Sequence, residues 1–205
     1  MSMVWVNPVV ASMYDTHMLD LFLREHGHKR AEVSKDWGAV VKEKYREAVC
    51  LSEKTVADVR CPKVKDLLEE SEIRTDLHVP DIEPILIHCA REISEEDGEE
   101  KIIITPCQSL ADMGNSLSLI NTRFLTWNDF CKKVGEWPKG KKLVESPIPE
   151  GFFESLMLNT VSFTGEENIR QGLKEKADRK SQIIEMLFCE HGCHNGDGVW
   201  MDEAR

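Results

Sequence analysis

The sequence predicts an α/β fold, two small α/β lobes with mostly parallel sheets, on three observations. Apolar runs of strand length alternate with stretches of helical periodicity from the first residues onward. The run Lys101-Ile102-Ile103-Ile104-Thr105 is apolar through its middle, as a strand covered on both faces must be. Cysteine follows a strand candidate twice, at Cys61 and at Cys107, where parallel sheets gather their ligands.

The chain has 205 residues, enough for a core of its own as a single domain over 1–205 or as two lobes. Hydrophobic residues at 41% and charged residues at 31% read as soluble and globular. A formal net charge of -11 argues against nucleic acid and against an anionic membrane surface, because both would repel it. Residues 1–8 carry no basic region, and Asn7 and Pro8 break their apolar run, so no signal peptide is expected. No apolar stretch reaches membrane-spanning length. Seven cysteines without secretory features point to the reducing cytoplasm, where thiols stay reduced or bind metal.

In order, Val4, Val6, Val9 and Val10 predict a short buried strand, and Met13, Leu19, Leu21, Phe22 and Leu23 a helix stopped by Gly27. His26 and His28 flank that glycine as solvated turn residues. Residues 32–37 read as a second strand, and Gly38 opens a helix through Val41, Tyr45, Ala48 and Val49. Residues 55–60 form the next strand. Cys61-Pro62 then stands where the strand ends and a helix begins, so the thiol points to the ligand crevice and the helix N-terminus favours its thiolate. Residues 75–81 are a loop, and 82–93 a helix that takes Cys89 into its core.

The acidic stretch 94–100 has no alternating ligand pattern for calcium and reads as a solvated turn between the lobes, about 1–95 and about 99–205. The strand 101–105 runs into Pro106-Cys107, repeating the strand-then-cysteine order of the first lobe. Residues 118–123 are a further strand candidate. Thr126 caps a helix with Asp129 at the capping-box position and Phe130, Cys131 and Val134 on its apolar side. Residues 146–153 are a proline-stiffened loop with Phe152 and Phe153. A strand within 157–163 leads to a helix through Ile169 and Leu173, and Lys174, Lys176, Arg179 and Lys180 alternate with acids as a solvated face. Residues 181–188 form the last strand.

That strand delivers Cys189-Glu190-His191-Gly192-Cys193-His194-Asn195-Gly196-Asp197-Gly198. Glycines at 192, 196 and 198 permit positive φ and close approach of backbone, as wrapping an inorganic cluster requires. The pair Cys189/Cys193 thus reads either as part of a metal or cluster site or as two ordinary reduced cysteines in a flexible tail after a helix C-terminus.

With these residues in line, the sequence resembles the cluster-binding (H-cluster) domain of the FeFe hydrogenases, as a short relative. The resemblance rests on Val59-Arg60-Cys61-Pro62-Lys63-Val64, on Thr105-Pro106-Cys107, and on residues 185–198, where Glu185, Cys189, Gly192 and Cys193 keep the family spacing. Leu187 stands at the family's methionine position, with Met186 one residue early. The resemblance implies that Cys61, Cys107, Cys189 and Cys193 hold a 4Fe-4S cluster in a central iron-sulfur site between the lobes, and that Cys193 is the position which in hydrogenases bridges to a diiron subcluster.

Departures follow. The hydrogenases relay protons through a cysteine at the position of Arg60. They line the diiron pocket with a threonine, a lysine and a glutamate after the second motif, where this chain has Gln108, Ser109, Leu110, Ala111 and Asp112. The insertion that covers the diiron unit is missing, which argues against a diiron subcluster and hydrogen turnover. The resemblance therefore implies an iron-sulfur protein for electron transfer or redox sensing under anaerobic conditions, with a redox or regulatory protein partner. One alternative is a reduced hydrogenase or another small-substrate oxidoreductase, with His191, His194 and Glu190 moving protons. The other is a structural or assembly subunit holding zinc, or no metal.

Overall fold

A computed structural model of the chain describes residues 1–70, 76–96, 98–148, 150–175 and 180–199. β1 (Ser2–Val6) ends at Asn7, whose side chain accepts from the Val9 and Val10 N–H groups and starts α1 (Pro8–Ser12) with proline in its first turn. Val9 and Val10, expected in a strand, are therefore helical, because a cap and a first-turn proline outweigh their β-branched preference. α2 (Thr16–Glu25) is capped by Asp15, and Gly27 at φ +79° turns the chain into β2 (His28–Arg30). The strand expected at 32–37 lies earlier, at β2. Its His28 is half-buried, bonded to Ser2 Oγ at 2.6 Å and 5.2 Å from the Phe130 ring, and is not a solvated turn residue.

α3 (Trp37–Leu51) follows an Asp36 cap, and β3 (Val56–Ala57) precedes α4 (Pro62–Glu69). α5 (Ile85–Ser94) buries Cys89, and β4 (Lys101–Thr105) is buried throughout. α6 (Gln108–Ser116) has no counterpart among the sequence expectations: its Gly114, Asn115 and Ser116 are weak helix formers. A Cβ on Gly114 would run into the Phe124 ring, so packing sets that glycine. The strand expected at 118–123 lies later, at β5 (Thr122–Thr126), because Ser118 and Asn121 adopt positive φ and bend the chain first. α7 (Trp127–Val134) takes Thr126 as cap, a 3₁₀ turn covers Glu154–Leu156, and β6 (Thr160–Thr164), α8 (Glu166–Glu175) and β7 (Ile183–Leu187) complete the elements before a second 3₁₀ turn at Cys193–Asn195. Thr75, Asp97, Pro149 and the Lys176 and Arg179 part of the solvated face lie outside the described residues. No described helix is long and apolar enough to cross a membrane.

The elements form two compact units, each of separate stretches of chain. Unit one comprises Met1–Lys35, Leu86–Ile148 and Cys193–Arg205; unit two comprises Asp36–Ile85 and Pro149–Gly192. β1 and β4, on either side of the charged turn at 94–100, pair directly, Val4 with Ile102 and Val6 with Ile104.

Unit one carries the parallel sheet β2-β1-β4-β5. Its core joins Val4, Val6, Leu19, Leu23, Ile102 and Ile104 to Trp127 and Phe130. Unit two carries the parallel sheet β3-β7-β6, with β7 in the middle and buried at every residue. Side chains alternate across β7: Ile183 joins Tyr45 and Phe153 on one face, while Ile184 and Met186 join Leu67, Ile169 and Leu173 on the other. Glu185 is placed by the same alternation on the Tyr45 face.

Candidate metal centre

Unit two positions two of the candidate thiols. Asp58 N–H bonds to Ile184 O at 2.8 Å, extending β3 along β7, and the chain then reaches Cys61 in extended conformation as the cap residue of α4. Pro62 at the first helical position needs no N–H partner, so the strand passes into the helix directly at the cysteine. Burial pushes the half-buried Cys61 thiol up from its ordinary pKa; the backbone N–H groups of Val64, Phe188 and Lys63 pull it down, and the Asp58 carboxylate adds to the rise. Phe188 directly precedes Cys189, so the backbone of the third motif faces the first motif's thiol. After Cys189, which is half-buried, His191 at φ +58° and Gly192 at φ +110° reverse the chain, and Gly192 N–H bonds back to Cys189 O at 3.1 Å.

Unit one positions the other two. Cys107 is buried as the cap residue of α6, and its carbonyl accepts from Thr105 Oγ1 at 2.9 Å. Cys193 is half-buried against the unit's core, which includes Trp127 and Val199. The glycines explain how the two segments meet. A Cβ on Gly196 would fall far inside contact distance of Pro106 O, and one on Gly198 would lie 2.8 Å from Thr126 Cβ and 3.0 Å from Cys107 N. Gly198 N–H bonds to Pro106 O at 3.1 Å, Asn128 N–H to Gly198 O at 2.9 Å, and the Asp197 carboxylate accepts from Gln108 N–H at 2.9 Å, at the start of α6. Gly196 and Gly198 therefore serve close packing on protein, mostly on the backbone of Pro106-Cys107 and Cys193, rather than approach to a non-protein group, and of the three glycines only Gly192 takes a positive φ.

Each unit thus holds two candidate thiols on adjoining segments, Cys61 with Cys189 and Cys107 with Cys193. Among the described residues, no group of three or more His, Cys, Asp or Glu side chains stands in a metal-holding arrangement. Within each unit the donor chemistry fits thiolate ligation: two cysteines on adjoining segments, with amide N–H groups around Cys61 in unit two and glycines that a side chain would disrupt in unit one.

A buried polar network beside Cys61 has no counterpart among the sequence expectations. Arg60 donates to Asp58 Oδ1 through Nε at 2.9 Å, to Asp58 Oδ2 through Nη2 at 2.7 Å, and to Glu185 Oε1 at 3.1 Å. All three side chains are at least nine-tenths buried. Burial opposes the Arg60 charge, but Asp58 and Glu185 hold its pKa above the ordinary guanidinium value. Its guanidinium lies 3.8 Å from the Phe152 ring centroid and 4.9 Å from that of Phe153. Glu185 also accepts from Gly151 N–H at 2.7 Å, Phe152 N–H at 3.1 Å and Ser162 Oγ at 3.0 Å. The Tyr45 hydroxyl accepts from Val59 N–H at 2.9 Å, and burial, with Asp58 beside it, keeps that phenol well above its usual pKa. The signal available in the sequence was Asp58-Val59-Arg60, two charges in an otherwise apolar strand stretch.

Glu190 and His191 are exposed, with the carboxylate 3.9 Å from the imidazole. His194 lies in the Cys193–Asn195 turn. Cys50 is exposed on α3, and Cys89 and Cys131 are core residues whose thiols burial pushes up to about 12.

Among solved structures the chain is similar in fold to FeFe hydrogenases. A structure of HydA(deltaEFG) concerned with stepwise assembly of the FeFe-hydrogenase H-cluster aligns at TM-score 0.65 and 14% identity, covering 100% of this chain and 81% of that one. A variant of the FeFe hydrogenase HydA1 from Chlamydomonas reinhardtii aligns at TM-score 0.64 and 13% identity, with the same coverages. A third, concerned with oxygen inactivation through degradation of the 2Fe subcluster, aligns at TM-score 0.64 and 14% identity. No protein-family model matches the sequence, and no curated protein does. The likeness is one of fold: a hydrogenase-like α/β arrangement with parallel sheets.

Proposed function

We propose that this chain is a hydrogenase-like iron-sulfur protein in which Cys61, Cys107, Cys189 and Cys193 hold a 4Fe-4S cluster, and that it transfers electrons or senses redox state with a partner protein. The observation that carries the reading is the backbone of the third motif: in unit two it reaches the Cys61 thiol through Phe188, and in unit one it packs through Gly196 and Gly198 on Pro106-Cys107. Those are the three segments on which the resemblance to hydrogenases rests. The solved neighbours named for their H-cluster support an iron-sulfur cargo. When bound, the cluster supplies one-electron redox chemistry. The protein's part is to fix the thiolates, to aim amide N–H groups at sulfur and to keep water from the buried side.

Hydrogen turnover is not part of the proposal. The position at which hydrogenases carry a proton-relaying cysteine is here Arg60, closed in ion pairs with Asp58 and Glu185. A cytoplasmic setting with a redox or regulatory protein partner, away from nucleic acid and membranes, belongs to the same proposal; the cysteine usage supports the compartment and the net charge of -11 supports the exclusion of nucleic acid and anionic membranes.

Anaerobic expression or reconstitution followed by iron, sulfide and zinc analysis tests it. About four irons and four sulfides per chain are expected, with an EPR signal on one-electron reduction. Cys61→Ser and Cys107→Ser should each lose or alter that signal. A folded, reconstituted protein with no iron refutes the reading, and zinc in place of iron makes the site structural.

A further inference from the structure

We propose that Arg60 is the positioning residue of the Cys61–Cys189 half of the site, a charged clamp that holds the two thiol-bearing segments in one geometry before any cargo arrives. The inference deepens the cluster reading, which supplies only the identity of the cargo.

The geometry is specific. Arg60 immediately precedes Cys61, and Glu185 lies on β7 four residues before Cys189. Through Nε and Nη2 the guanidinium ties Asp58 to its own turn, and through Nη2 it reaches across to Glu185. Arg60 N–H also bonds to Asp58 Oδ1 at 3.1 Å, closing the turn that ends at the cysteine. Glu185 extends the clamp to Gly151, Phe152 and Ser162, and both phenylalanine rings pack on the guanidinium. One side chain therefore fixes the strand end carrying Cys61, the strand leading to Cys189, and the loop beside them.

Stability alone is a poor account of this arrangement. Replacing a buried ion triad by well-packed hydrophobic groups of similar volume is often neutral or stabilising, whereas breaking it on one side is costly. Both carboxylates converge on a single residue next to a candidate ligand, which is where a fixed geometry serves the thiols.

The test uses cluster-free protein in a Cys107→Ser/Cys193→Ser background and phenylarsine oxide, which binds tightly only where two thiols can take the arsenic together. The parent should bind one equivalent. Arg60→Met should bind about tenfold more weakly or worse, the scale of losses when groups that orient metal ligands are removed. Because Arg60→Met leaves two carboxylates buried, the combined Asp58→Asn/Arg60→Met/Glu185→Gln variant is the decisive one. It carries no unpaired charge, and its folding is checked by circular dichroism and melting. Weak arsenical binding by this folded variant, with partial recovery in Arg60→Lys, supports the clamp. Parent-like binding by the folded neutral variant overturns it, as does a parent that takes up no arsenical. Iron analysis of the four-cysteine protein judges the cluster reading separately, so iron-free wild type with a clamp-dependent arsenical site refutes the cargo and supports the clamp.

Discussion

Gly196→Ala should separate the third motif from Pro106-Cys107, and its cost can be worked from the contacts. The added methyl would fall far inside contact distance of Pro106 O and 3.0 Å from Cys193 O, both backbone atoms that no side-chain rotation can move aside. Overpacking of this kind costs about 1–3 kcal/mol. Displacing the turn also strains the Gly198 N–H bond to Pro106 O, about 1 kcal/mol when lost. Reduced entropy of the unfolded alanine chain returns about 0.4–1 kcal/mol. The net loss is about 2 kcal/mol, or about 4–8 °C in melting temperature for a chain of this length. Calorimetry on cluster-free protein measures it, and amide exchange at Gln108 should quicken as Asp197 shifts away. Gly27→Ala is the control: Gly27 has φ +79° but no atom within 4 Å of the point where its methyl would stand, so only backbone strain of about 1–2 kcal/mol applies, reduced by the same entropy gain to about 1 kcal/mol or less. Wild-type melting by Gly196→Ala, or a larger loss at Gly27 than at Gly196, would refute the reasoning.

Three further outcomes are expected. Burial pushes the Tyr14 phenol up to about 12, against hydrogen bonding from Trp127 Nε1 at 2.9 Å. The raised folded pKa means stability that is fully present below the unfolded value of about 10 and lost as pH rises toward 12, about 2–3 kcal/mol in all. Urea unfolding at pH 9 and pH 11 should show about half of that loss, about 1 kcal/mol, reduced in Tyr14→Phe. Tyr45→Phe removes the buried acceptor of Val59 N–H and should destabilise by about 1–3 kcal/mol in chemical unfolding. Iodoacetamide at pH 8 followed by mass spectrometry should label the exposed Cys50 readily, while Cys89 and Cys131 react only in denaturant; labelling of Cys131 in folded protein would contradict its burial.

Local signals were legible where chemistry and element coincide. The apolar run of β4, the Thr126 cap of α7 and Cys61-Pro62 at the start of α4 appear as the sequence predicts, because each is decided by neighbouring residues. α6 was hidden because its glycine is fixed by the ring of Phe124, a partner from another strand. β2 and β5 were displaced by turns at Gly27, Ser118 and Asn121 whose φ angles the composition does not dictate. At the candidate site, the cysteines and glycines of the third motif could be read directly. The Arg60 network could not, since Tyr45, Asp58 and Glu185 come together only when β3 lies beside β7.

That pairing also bears on the order in which the molecule can be made. Val56 bridges His78 on one side but waits for Ile183 on the other, and β6, emerging later than β3, has no strand partner until the same strand arrives. The central strand of unit two is therefore the last of its three to leave the ribosome, and non-local pairing of this kind is slow. Until then Cys61 lacks the Phe188 amide beside it, and its neighbour Arg60 lacks the Glu185 carboxylate. A nascent chain would present that thiol to oxidants and stray metal ions before its permanent surroundings exist, so the yield of correctly folded protein should depend on how fast synthesis passes from β3 to β7.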